Sequence, residues 1–225
     1  MTVAVRVVDC EQPSAVVAEL AVTLDPSERD RADAWSNPAA RARWIVAHGA
    51  LRSVLGAALG VEPADIAFDR TCRHCGDPKH GKPVVVGADI EFSLSHSGAL
   101  AVIAWTRAAG RLGVDVELVR PRARLELLAA RKLDPAEYAA WRALAPAERL
   151  PAFLRHWTAQ EAYLKALGVG LFRTGGVPPV SPQWTVAPID VGTGGVAALA
   201  VDKAAAPTPV PELWTAAVPS HDGRR

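Results

Sequence analysis

The sequence predicts an α+β protein built from short antiparallel strands and two long helices. Three observations carry this. Leu112, Val114, Val116 and Leu118 alternate with Gly113, Asp115 and Glu117, the period of two of a strand with one buried face. Ile90 to Leu94 and Ala99 to Thr106 flank the tetrapeptide Ser95-His96-Ser97-Gly98, which reads as a hairpin turn between two apolar arms. Ala39 to Leu59 and Pro146 to Leu167 are long segments closed by Gly60 and by Gly168 with Gly170, as helices are closed.

The remaining elements follow in order. Thr2 to Val8 alternates and is rich in β-branched residues, so a first strand is expected. Asp25-Pro26-Ser27-Glu28 starts a helix, with Asp25 as cap and Pro26 in the first turn, continuing to Trp35 and breaking at Asn37-Pro38. Along the first long helix Trp44, Leu51 and Leu55 mark the buried stripe, whereas Arg41, Arg43 and Arg52 lie away from it and read as solvated. Ile66 to Asp69 is a short strand, and Arg122 to Arg131 and Pro135 to Leu144 read as helices. Gln183 to Ile189, Val196 to Val201 and Leu213 to Val218 are further candidate strands.

Composition narrows the function. Half of the 225 residues are apolar and the net charge is +1, which suits a soluble globular protein and lacks the basic excess of a nucleic-acid binder. No apolar run reaches the length of a membrane span. Arg6 and Asp9 interrupt the first apolar run, so a strand is expected there and no signal peptide. Three cysteines without a repeating spacing argue against a disulfide framework and for a cytoplasmic setting.

Chemistry concentrates in four places. Asp115 and Glu117 project from one face of a strand, close enough to share a cation; hard carboxylate oxygens there suit Mg²⁺. The Ser95-His96-Ser97-Gly98 turn gathers hydroxyls, an imidazole and backbone N–H groups, an anion-binding combination. Trp157, Glu161 and Lys165 recur at i, i+4 and i+8 on one helix face. Cys72, His74, Cys75 and His80 could supply four zinc ligands, but their spacing is too tight for a finger.

These motifs, in this order, are also those of a family. Arg43 nine residues before Arg52, Gly81-Lys82-Pro83, Phe92-Ser93-Leu94-Ser95-His96-Ser97, Gly113-Val114-Asp115-Val116-Glu117 and Trp157-Thr158-Ala159-Gln160-Glu161-Ala162-Tyr163-Leu164-Lys165 resemble the 4′-phosphopantetheinyl transferases. Within that family the resemblance is to the monomeric, pseudo-dimeric class that activates peptide and polyketide synthases, and it extends over nearly the whole chain. It implies two similar α+β subdomains, residues 1–108 and 109–225, each a small antiparallel sheet on a long helix, related by a pseudo-twofold axis with coenzyme A between them. It implies Mg²⁺-dependent transfer of the phosphopantetheine arm of coenzyme A to a serine of an apo acyl or peptidyl carrier protein, with release of adenosine 3′,5′-bisphosphate. Asp115, Glu117 and Glu161 would hold the metal, Lys165 would contact the pyrophosphate, and Glu161 would take the serine proton, directly or through a metal-bound water. Arg43, Lys82, Ser95 and His96 match positions that grip the nucleotide and its 3′-phosphate, and Arg31 lies where a further basic contact is common. The partners implied are coenzyme A and carrier proteins, with no nucleic acid and no membrane.

The chain departs from the pattern at Gln160, where lysine is usual, and at Ser93, where asparagine is common. Two other readings compete with an enzyme: a family member that binds without transferring, favoured by Gln160, and a zinc-dependent binding module on the Cys72–His80 loop.

Overall fold

The computed structural model describes residues 3–72, 75–78, 81–107, 110–169, 180–192, 194–202 and 212–215. The first part contains β1 (Ala4–Asp9), α1 (Ser14–Thr23), α2 (Pro26–Asp33), α3 (Pro38–Leu59), β2 (Phe68–Asp69), β3 (Val84–Val85), β4 (Glu91–Ser97) and β5 (Leu100–Thr106). The second contains β6 (Leu112–Leu118), α4 (Leu125–Lys132), α5 (Pro135–Ala143), α6 (Pro146–Leu167), β7 (Trp184–Ile189), β8 (Gly195–Asp202) and β9 (Glu212–Leu213). Among the described residues no helix is long and apolar enough to cross a membrane.

Two sheets organise these elements. In the first the order is β4-β5-β1-β9, antiparallel except for β9, which runs parallel to β1. In the second, β8 lies between β6 and β7 and pairs antiparallel with both. A core cluster containing Val8, Trp44, Leu51, Leu55 and Ile103 unites α3 with the first sheet. Ala162, Ala166, Ala198 and Ala200 unite α6 with the second, and alanine at all four positions allows helix and sheet backbones to lie close.

Local chemistry sets the helix ends. The Asn37 side chain accepts the N–H groups of Ala39 and Ala40 at the start of α3, satisfying donors that a helix leaves open. Gly60 and Gly168 close α3 and α6 in the left-handed conformation. Asp25 and Glu28 form a reciprocal capping box on α2.

The structure corrects the sequence reading at several points. Ser95, His96 and Ser97 are strand residues of β4, and the reversal is confined to Gly98 and Ala99. Helix α1 carries no strong cap: Pro13 precedes it and makes no side-chain cap bond, so no sequence signal marked it. Helix α4, expected from Arg122, begins at Leu125 after Arg124 in a left-handed turn. Leu213 does reach a sheet, but as the end of the two-residue β9; residues 216–218 lie outside the described residues.

Arg52 is the largest correction, for it is fully buried and not solvated. Its Nε donates to Glu28 Oε2 at 2.6 Å, Nη2 to Asp25 Oδ2 at 2.8 Å, and Nη1 to the carbonyls of Pro63 and Ile66, both at 3.0 Å. A helix stripe read from apolar residues alone omits a buried cation met by four hydrogen bonds. Burial on its own would raise the Glu28 carboxyl, but the interactions with His48 and Arg52 win and hold it down at about 2. Since the folded value lies below the ordinary glutamate value of 4.5, the ionised form stabilises the fold. That contribution is complete above the unfolded pKa and is lost as pH falls toward about 2. Urea unfolding between these limits is expected to show stability falling with pH, and the fall should flatten in Glu28→Gln. An unchanged slope in that variant would contradict the assignment.

Candidate active site

Gly113 brings the two main chemical elements together. A Cβ there would lie 2.2 Å from the carbonyl oxygen of Ala162 and 2.4 Å from the amide nitrogen of Ala166, so β6 touches the α6 backbone directly. One turn of α6 then places Lys165 over β6, where its Nζ donates to Asp115 Oδ1 at 2.7 Å and to Ser95 Oγ at 2.9 Å. Glu161 lies one turn earlier on the same helix and is buried, as is Asp115.

Each strand carboxylate is held through one oxygen. Asp115 Oδ1 accepts Ser95 Oγ at 2.8 Å as well as Lys165. Glu117 Oε2 accepts Ser97 Oγ at 2.8 Å and Arg122 Nη2 at 2.6 Å. No hydrogen bond falls on Asp115 Oδ2 or Glu117 Oε1 among the described residues. Burial raises the Asp115 pKa, opposed by Lys165 and Ser95 and reinforced by Glu117. Burial also raises that of Glu161, with the Asp115 charge next and Glu117 contributing. The three carboxylates therefore stand near enough to repel one another.

Their oxygens are hard donors, the two strand carboxylates each keep an oxygen without a protein donor, and their mutual repulsion would be relieved by a divalent cation. The chemistry fits Mg²⁺. It does not form a finished cage: among the described residues no three His, Cys, Asp or Glu side chains are grouped to enclose a metal by themselves. Lys165 and Arg122 now neutralise part of the charge, and an ion bound here would draw further oxygens from water or from a phosphate.

Beside the carboxylates lies a cavity of about 420 Å³, within the range of small-molecule sites. Four cationic side chains, Arg31, Arg70, Lys82 and Lys165, and two histidines, His48 and His96, line it and no acidic residue does, among the described residues. Leu51, Phe92, Leu94 and Leu164 supply apolar wall. The Gly81 backbone packs against Arg70 and Thr71, where a Cβ would meet backbone atoms at 2.5 Å; the close fit presents the neighbouring Lys82. Lys82 bonds the Leu112 carbonyl at 2.8 Å and pairs with Glu91. His96 remains exposed at the rim. Neighbouring atoms still strip water from part of its ring, and His48 and Lys165 add positive potential, so its pKa is lowered.

Arg31, Lys82, His96 and Lys165, chosen from the sequence, thus surround one cavity. Arg43 and Ser95 do not line it: Arg43 pairs with Glu11, and Ser95 is bound to Asp115. Trp157 is only half-buried, packing in a cluster with Phe153 and Leu154 under Lys132. In the loop before Gly81, Cys72 is half-buried and Cys75 exposed, and His74 and His80 lie outside the described residues.

Sequence reasoning missed His48 and Arg70. His48 follows Trp44 by one helical turn and stacks on its ring at 3.8 Å, so the i, i+4 spacing from a buried tryptophan was the available signal. Arg70 had none, because Glu28, its partner at 2.9 Å, is 42 residues away in sequence.

Comparison with known proteins bears on the same region. The model of the 4′-phosphopantetheinyl transferase superfamily matches residues 111–203, from the start of β6 through β8. The 4′-phosphopantetheinyl transferase HetI of Nostoc sp. is 40% identical over 167 residues, covering 72% of this chain and 66% of its own. A putative 4′-phosphopantetheinyl transferase of Synechocystis sp. is 28% identical over 181 residues, 79% of this chain and 70% of that protein. The 4′-phosphopantetheinyl transferase AcpT of Salmonella typhimurium is 37% identical over 91 residues, 40% of this chain and 47% of that protein. The matched part of the chain thus spans slightly under two thirds of HetI and about half of AcpT.

Proposed function

The chain belongs to the 4′-phosphopantetheinyl transferase superfamily, and from that premise we propose that it transfers the phosphopantetheine arm of coenzyme A to a serine of an apo acyl or peptidyl carrier protein. One observation carries the reading. Lys165 belongs at once to the basic cavity and to the carboxylate group, with its ammonium 2.7 Å from Asp115 Oδ1. An anion seated in the cavity therefore has its reactive end at the acids, where a phosphoryl group would have to be transferred.

Arg31, Lys82 and His96 would hold the nucleotide end and its 3′-phosphate, and Arg43 could join them by leaving Glu11. Asp115, Glu117 and Glu161 would hold Mg²⁺, which when bound supplies charge neutralisation on the pyrophosphate and makes the transferred phosphorus more electrophilic. Lys165 stabilises the charge that builds as the phosphorus–oxygen bond to the nucleotide breaks. The carrier serine oxygen forms the new bond to that phosphorus, its proton passes to Glu161, and adenosine 3′,5′-bisphosphate leaves with the bonding pair. Without a bound cation, burial and the nearby Asp115 hold the Glu161 pKa above that of an ordinary glutamate. The halves 1–108 and 109–225 would be the two subdomains of this fold, in a protein acting as a monomer in the cytoplasm.

Nucleotide recognition is tested by calorimetry with coenzyme A and its 3′-dephospho analogue. Arg31→Ala is expected to weaken coenzyme A by about 1.5–3 kcal/mol, the value of a charge-assisted contact, and the analogue by much less. Equal losses would place Arg31 away from the 3′-phosphate.

A further inference from the structure

Strand β4 is the edge of the first sheet and β6 the edge of the second, and the two face each other without backbone pairing. Serine side chains take its place. Ser93, Ser95 and Ser97 point from one face of β4 at the period of two, and all three are buried. Ser93 Oγ accepts the Val114 N–H at 3.1 Å, while Ser95 and Ser97 Oγ accept those of Val116 and Leu118 at 3.3 Å each. These N–H groups form the row of β6 that β8 does not use, and Val114 and Val116 are buried; unmatched, each would carry a desolvation cost.

The same hydroxyls reach further. Ser95 donates its single proton to Asp115 Oδ1, and Ser97 donates its own to Glu117 Oε2, both at 2.8 Å. Ser95 Oγ also accepts from Lys165, so its one donor and both lone pairs are engaged. Ser93 makes the backbone bond, and among the described residues no hydrogen bond joins it to a carboxylate.

We infer that Ser95 and Ser97 are positioning residues: they fix one oxygen of Asp115 and one of Glu117, and so leave the other oxygen of each for a divalent cation. This rests on the transferase reading for its purpose, but not for its test. Outer contacts of this kind typically alter metal affinity ten- to a hundredfold.

The test is Mn²⁺ binding to the full chain, followed by electron paramagnetic resonance, with thermal unfolding and transfer rate measured on the same samples. Ser95→Ala and Ser97→Ala are expected to weaken Mn²⁺ about tenfold. Ser93→Ala should lower the thermal midpoint comparably and leave Mn²⁺ affinity within about twofold, since it loses only a backbone bond. Ser97→Thr, which keeps the hydroxyl, should restore most of the affinity. Ser95→Cys and Ser97→Cys keep the volume and guard against loss of the fold; with a weak donor they should follow the alanine variants. Equal Mn²⁺ affinities across the three alanine variants would reduce the ladder to a structural joint and overturn the inference, as would a wild-type protein that binds no Mn²⁺. Mn²⁺ affinities in the expected order without any transfer by the wild type would uphold the positioning role and defeat the transferase reading instead.

Discussion

Asp115→Ala is expected to leave a folded protein whose transfer rate falls at least ~10²-fold, the scale set by loss of a ligand to a weakly held cation. The fold should survive because the substitution strands no buried cation. Lys165, the partner, is about one-third exposed and can turn to water, while Ser95 keeps the Val116 N–H. Initial rates with saturating coenzyme A, beside a thermal melt, separate loss of rate from loss of fold. Near-normal turnover in Mg²⁺ would refute the role given to Asp115.

Gly113→Ala is expected to damage both stability and activity. Its methyl group would meet Ala162 O and Ala166 N, which are helix backbone atoms and cannot rotate away. Overpacking against such a wall costs on the order of 1–3 kcal/mol, read from the urea midpoint. Moving α6 off β6 also carries Glu161 and Lys165 away from Asp115, and a displacement near 1 Å can cost about 10²-fold in rate. Transfer should therefore fall further than stability alone accounts for. A variant with wild-type midpoint and rate would show that this contact does not set the site.

How much of this was legible in the sequence depended on the range of the interaction. The strand Leu112–Leu118 and the helix Pro146–Leu167 were readable to the residue, since alternation, proline and glycine are local signals. That Asp115 and Glu117 share a face followed from the same periodicity. Helical spacing marked Glu161 and Lys165, the resemblance gave them roles, and the structure explains why they arrive at β6: Gly113 allows it. The Ser95–Ser97 segment was misread because serine and glycine favour turns. Here the serine hydroxyls are occupied by an opposing strand edge that begins fifteen residues or more later in sequence, with |i−j| of 20 and 21. Arg52 was misread for the same reason. Its partners Glu28 and Asp25 lie 24 and 27 residues away, and no local pattern distinguishes a buried, paired arginine from a solvated one. The choice of Arg43 rested on motif position alone, and its Glu11 partner is 32 residues distant.

The central claim is most directly tested by incubating the purified chain with coenzyme A, Mg²⁺ and a panel of apo carrier proteins, and measuring carrier mass and released nucleotide together. The account predicts one phosphopantetheine per modified carrier, attached to a serine, with an equal amount of adenosine 3′,5′-bisphosphate and none in the Asp115→Ala reaction. Coenzyme A bound tightly by the wild-type protein, with every carrier in the panel left unmodified, would contradict it.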